Sequence, residues 1–212
     1  MSGIVLALAG ATTSNLPAIG SAYGGGYFAG QISTAGNGIA DYNLVCSPVA
    51  SGFTSAQYRT SNLSGDPTSV INGPTNSAAM NDANHPAAQF CEGLTIGGFS
   101  DWYLPAVNEL QVVYENLKPT AGLNNTGSGI NPNSVPARTT PYATYVPTIT
   151  SATNFQQPSG AEAFSTSAIY WQSNANATFT TKTDYFSFTN GYGYRIDKTN
   201  TLLVRALRRV AV

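Results

Sequence analysis

The sequence predicts an α+β fold, and three observations carry that expectation. Two helix-like segments lie in the middle of the 212 residues, short strand-like runs crowd the C-terminal part, and Asn190-Gly191 supplies the turn chemistry of a β-hairpin. The length suits one large domain, or one domain with an arm, and apolar residues at 42% suffice for a core.

Residues 1–26, ending in "YGGG", are small and weakly apolar and read as an extended N-terminal arm that gains order against another surface. The domain is expected over residues 27–212. "YFAGQIS" and "IADYNLVCSP" read as two strands about the turn-forming "TAGNG". Residues 50–76, punctuated by Gly, Pro, Ser and Asn, read mostly as loop. "NSAAMNDANHPAAQFCEGL" is expected to be a helix, weakest at Pro86 and stopped at Gly93. A second helix starts near Pro105, places Leu110, Val113, Tyr114 and Leu117 at i, i+3, i+4, i+7, and ends at Pro119. Residues 120–160 form a Gly/Pro/Asn/Thr-rich insertion with few core candidates, of the kind that is functional or peripheral. "AIYWQS", "ATFTTK", "YFSFTN", "YGYRI" and "TLLVRALRRVAV" complete a compact, mostly antiparallel sheet.

Charged residues make up only 9%, against a usual quarter, so the surface is polar through amides and hydroxyls. Such a surface is unusual for a cytosolic enzyme and common in extracellular, adhesive or virion proteins. Tyr, Ser, Asn and Gly give contact area and hydrogen bonds at low entropic cost. A net charge of −1 gives no footprint for nucleic acid. Five of the nine basic residues (Arg195, Lys198, Arg205, Arg208, Arg209) fall in the last eighteen positions, but they alternate with apolar residues as in a strand. No run of 18 apolar residues occurs, so no membrane insertion is expected. "MSGIVLALAGATTS" lacks the charged n-region of a signal peptide and is not read as one. Cys46 and Cys91 have no metal-ligand spacing and read as buried thiols, with their pairing left open.

No catalytic or metal-binding constellation emerges, and no cofactor is expected. The single histidine, His85, sits before a proline without a partner at i+4, and reads as a helix-edge or surface residue. No nucleophile elbow, P-loop or H-E-x-x-H is present. Asp101 and Glu109, beside Trp102 and Tyr103 in "GGFSDWYLPAVNELQVVYENLKP", invite a glycosidase reading. The structural reading is preferred. Asp101 braces the start of the helix that Pro105 opens, and Glu109 reaches an arginine of the C-terminal strand, with Arg205, Arg208 and Arg209 as candidates. Trp171, with Tyr170, packs the core.

The stretch "FCEGLTIGGFSDWYLPAVNELQVVYENL" resembles the signature of the Lcl carboxy-terminal family, C-x-x-L-x-x-G-G-x-x-D-W-R-L-P-t-x-x-E-L. "AIYWQS", "YFSFTNGYGY" and "KTNTLLVRALRRV" follow in the family's order, so the resemblance covers roughly residues 77–212. The longer match, with "GAEAFS" and the terminal "RRVAV", is similar to forms found in bacteriophage virion and tail proteins. Tyr103 departs from the family's arginine, which removes one ion pair, and Gln172-Ser173 stands where Ser-Ser is common. The calcium and sugar motifs of true C-type lectins are absent.

What the resemblance implies is a C-type-lectin-like domain with a loop-rich face on a rigid base. Asn174, Asn176, Asn190, Tyr192 and Tyr194 are then the ligand-contact candidates, although each alone also reads as an ordinary turn or strand residue. Asp101, Trp102, Pro105, Glu109, Trp171 and Arg205 form the structural keystone. The expected protein is a non-enzymatic, tail-associated virion protein that recognises a host surface glycan or protein. It docks on other virion proteins through its arm and forms a homo-oligomer, a trimer by analogy. The alternative is a head decoration, fibre or collar protein whose face contacts other virion subunits.

Overall fold

The computed structural model describes residues 16–212, so most of the expected arm lies outside the described residues. Residues 16–26 are part of the domain. The strand β1 (Ala22–Tyr23) pairs with β2 (Gly26–Ile32), the Gly20 N–H bonds the Phe28 carbonyl at 2.8 Å, and Ile19 packs against the core. The domain therefore begins before residue 27.

The described residues form a mixed α and β structure of four helices and two sheets. In the first sheet β1, β2, β3 (Tyr42–Cys46) and β10 (Leu207–Ala211) lie in that order, and β5 (Ser134–Val135) adds to β2. The second sheet runs β4 (Phe53–Gln57), β9 (Thr201–Arg205), β6 (Tyr170–Ala175), β7 (Lys182–Phe186), β8 (Gly193–Asp197). All pairings are antiparallel except that of β6 with β9.

The long C-terminal run is not one strand. It leaves the second sheet at Arg205 and joins the first at Leu207, with fully buried Ala206 at the crossing. There the Ala206 N–H donates to the Gly52 carbonyl and its own carbonyl accepts from Ser47, both at 3.0 Å. Only a small side chain fits where both sheets meet.

Helix α4 (Val107–Leu117) forms where the apolar period places it, and Leu110, Val113, Tyr114 and Leu117 are all buried. It lies so close to β2 that a side-chain carbon on Gly30 (φ +119°) would fall 2.4 Å from Asn116 and 2.8 Å from Val112. The other expected helix divides into α2 (Gly73–Ala79) and α3 (Pro86–Glu92). Pro86 offers no N–H to continue a helix, and the Asp82 carboxylate closes a turn on the Asn84 N–H at 2.7 Å.

Residues 50–76 hold more structure than expected: the short helix α1 (Val49–Gly52), all of β4 and the start of α2. β4 escapes a sequence reading because "FTSAQ" sits at a sheet edge and turns little apolar surface inward. "ATFTTK" is not a strand before Lys182, since the Asn176 side chain accepts the N–H groups of Thr178 (3.0 Å) and Phe179 (2.8 Å) and curls the chain. The Asn190-Gly191 hairpin exists, but its loop spans residues 187–192 rather than two residues. Phe188 turns inward and stacks on Phe164, ring centroids 3.8 Å apart, which widens the loop.

One core cluster gathers α4, β2, β3 and an aromatic group of Phe155, Phe164, Tyr170, Phe186 and Phe188. The other holds both tryptophans with Val45, Tyr58, Met80, Cys91 and Val204. Cys46 and Cys91 are free, buried thiols, and burial pushes Cys46 up to about 11.

The insertion over residues 120–160 is anchored rather than peripheral. Tyr142 and Phe155 enter the core, and the buried Lys118 ammonium donates to Gly122 O (2.5 Å), Asn124 Oδ1 (2.7 Å) and Pro147 O (3.1 Å). Buried Asn124, Asn131 and Asn133 bond the insertion's own backbone, α4 and the Ser33 turn. Amide hydrogen bonds hold this segment, which is why apolar periodicity does not reveal it.

Candidate functional site

The carboxylate cluster divides its work between two arginines of β10. Glu109 is fully buried and accepts from the Tyr103 hydroxyl (2.5 Å), the Ala106 N–H (2.8 Å) and Arg209 Nε (2.8 Å). Burial lifts its pKa above the usual carboxylate range, against the opposing pull of Arg209, Tyr103 and Ala106. Tyr103 thus supplies a hydroxyl to the same carboxylate. With all its bonds turned inward, Glu109 has no face left for a substrate.

Asp101 does not brace the start of α4 as expected. It takes two parallel bonds from Arg208, at 2.7 and 2.9 Å, and its side chain is 54% exposed. The N-terminus of α4 is instead held by the Glu109 carboxylate on the Ala106 N–H and by Asn174 Oδ1 on the Val107 N–H (2.9 Å). Arg205, expected among the ties to the helix, bonds Glu162 (2.6 Å) and the Ser47 carbonyl (2.5 Å), so it joins β9 to residues far from α4. Trp102 and Trp171 are buried, their indole N–H groups donating to the Phe99 (3.0 Å) and Ala56 (2.8 Å) carbonyls, and the Pro105 carbonyl accepts from Ser173 at 2.7 Å. His85 is buried as well, between Asp66 (3.1 Å) and Asp82 (2.9 Å) at the start of α3.

The five contact candidates lie on β6, β8 and the loops beside them, and their side chains divide into two kinds. The amides are structural: Asn174 caps α4, Asn176 bonds Asp184 at 3.1 and 3.2 Å while closing its own turn, and Asn190 accepts from the Tyr192 N–H at 3.1 Å. The Asn190 carbonyl also accepts from the Asn125 N–H at 2.8 Å, which ties the hairpin to the insertion. Of the tyrosines, Tyr194 is exposed and Tyr192 half-buried. Tyr192 and Tyr194 stack with centroids 6.1 Å apart and planes 13° apart, and Tyr194 is 52% exposed. Arg195 lies over Phe179 at 3.9 Å and over Tyr194 at 5.3 Å. Tyr185 stands opposite Tyr194 in the ladder, and burial together with the two neighbouring tyrosines raises its pKa. These rings make a ridge along the outer strand of the second sheet.

On the other face of the β7–β8 pair, toward Asp184, Phe186 and Gly193, opens a cleft of about 350 Å³, between the first turns of α4, the insertion and β6–β8. Asn174, Asp184, Gly191 and Gly193 line it, with two glutamines, Gln111 of α4 and Gln172 of β6. A larger cleft, about 560 Å³, lies over the carboxylate cluster between Tyr42, Asn72, Asp101, Tyr103 and Arg209. Its charged groups are already bound within the protein. Gln111, Gln172, Tyr185, Arg195 and Phe179 are not among the site residues expected from the sequence. The odd Gln172 in "YWQS" was the one visible sign of them.

Among the described residues, no group of three or more His, Cys, Asp and Glu side chains is placed to hold a metal ion, and no helix is long and apolar enough to cross a membrane. No protein-family model matches the chain, and no curated protein matches it at a significant level.

Proposed function

We propose that this chain is a C-type-lectin-like virion protein of a bacteriophage, non-enzymatic and tail-associated, which recognises a host surface through the β6–β8 face. The observation that carries the reading is the aromatic ridge of Tyr192 and Tyr194, stacked on the β7–β8 hairpin. Stacked tyrosines give large contact area with little entropy to lose, which suits recognition. The family resemblance over residues 77–212 supports the same reading, and so does a surface built from amides and hydroxyls. In it the chain docks on other virion proteins through its N-terminal residues and works as a homo-oligomer, a trimer by analogy.

The second reading is a head decoration, fibre or collar protein. Exposed Leu123, Ile130, Tyr145 and Val146 on the insertion favour contact with other subunits. Immunogold labelling of intact particles, combined with binding of the purified chain to host cells, separates the two. The tail reading expects label at the tail, and cell binding that Tyr192→Ala with Tyr194→Ala weakens about tenfold or more. Label confined to the head surface, or no cell binding at high protein concentration, overturns it.

A further inference from the structure

Gln172 is one of five described residues with a buried side-chain polar atom that lacks a hydrogen-bond partner, beside Arg59, Gln111, Tyr142 and Arg195. It lies on β6 with 1% of its surface exposed, and its carbonyl oxygen has no hydrogen-bond partner. Nine in ten or more of buried polar groups find a partner, and leaving one without is destabilising. Gln111, on a different element, shows the same unpartnered carbonyl oxygen, and both side chains line the same cleft. We propose that this cleft binds a neutral saccharide, whose hydroxyls pair with the amides of Gln172 and Gln111. The inference deepens the recognition reading and rests on it for where the saccharide comes from.

Charge narrows the ligand class. Among the described residues, Asp184 is the only ionisable one lining the cleft, and the Asn176 amide already bonds it. No cation lines the cleft, so a phosphate, sulfate or carboxylate would meet repulsion with nothing to balance it. Amide chemistry narrows it further. Turning a glutamine amide over exchanges acceptor for donor, and a hydroxyl satisfies either orientation. A sugar ring offers several hydroxyls in a small space, whereas a peptide offers one N–H per residue. Val70 and Ile130 line the same cleft and are 46% and 56% exposed, giving an apolar wall for the C–H face of a ring. The volume of about 350 Å³ falls in the range of small-molecule sites, roughly 300–1,000 Å³.

The test uses the purified full chain, Gln172→Leu and Gln111→Leu. The probes are methyl glycosides of glucose, galactose, mannose and N-acetylglucosamine, with glucose 6-phosphate and a blocked Asn dipeptide as contrasts. Binding is read from the glutamine side-chain NH₂ resonances in ¹⁵N spectra. At least one neutral glycoside is expected to shift those resonances. Gln172→Leu should then bind about tenfold more weakly, with its melting temperature unchanged or raised, because an unpaired amide leaves no bond to lose. The proposal is overturned if no neutral glycoside shifts them, if the phosphate or the dipeptide binds better, or if Gln172→Leu melts clearly lower. Host-cell binding untouched by either glutamine substitution would sink the cleft and leave the recognition reading standing. Glycoside binding in a chain that binds no cell would do the reverse.

Discussion

Glu109 and Asp101 sit eight residues apart, and each pairs with an arginine of β10, yet burial gives them different energetic weight. Removing one partner of a buried pair strands the other charge, so Glu109→Ala should cost about 3–5 kcal/mol. Asp101 is half exposed, and Asp101→Ala should cost about 1 kcal/mol or less. Urea unfolding of both variants checks the difference, and equal losses would contradict this division of labour. Glu115 makes a third case, bonded to Arg138 at 2.9 Å, with its pKa raised from 4.5 to about 6 by burial against the pull of Arg138. A carboxyl raised in the folded state binds its proton more tightly there than in the unfolded chain. Its contribution to stability is therefore full below about pH 4.5 and is lost as pH rises through about 6. Glu115→Gln carries no such titration, so relative to the parent it should gain about 2 kcal/mol between about pH 4 and pH 7. A difference between the two that does not change with pH would refute the assignment.

At the scale of elements, the legible parts were those whose signal is local and apolar. α4 followed from four spaced side chains, and β2, β3 and β6 from short apolar runs. Where tertiary contacts decide, the sequence misled. β4 has almost no apolar pattern and exists because β9 pairs with it, and the final run divides because the first sheet claims its last residues. The site was legible in the same uneven way. Tyr192 and Tyr194 were singled out because they follow a turn signal, and the structure stacks their rings, with Tyr194 exposed. Asn174, Asn176 and Asn190 came from the same loop-rich composition but serve the backbone. An asparagine that caps a helix sixty-seven residues away looks no different in sequence from one that meets a ligand. Gln111 and Gln172 were hidden because a missing partner is a property of three-dimensional packing alone.

Across the whole molecule, the scarcity of charge acquires a structural meaning. All nine basic side chains are engaged: seven in ion pairs, Lys118 on carbonyl oxygens, and Arg195 over aromatic rings. The same ties bind the two cores into one unit. The crossing at Ala206, the Arg205–Glu162 pair and the two β10 arginines all bridge elements that would otherwise separate. A single cooperative transition is therefore expected, although the core divides in two. Both tryptophans lie in one cluster, so their fluorescence during urea unfolding reports that half. Amide hydrogen exchange at Val113 and Tyr114 of α4 reports the other. The two free energies should agree within about 1 kcal/mol, the α4 amides exchanging only through global unfolding. If α4 opens with a clearly smaller free energy, the links at β10 are weaker than the geometry indicates. The cleft beside α4 would then be a mobile edge, without the rigidity that recognition by a preformed site requires.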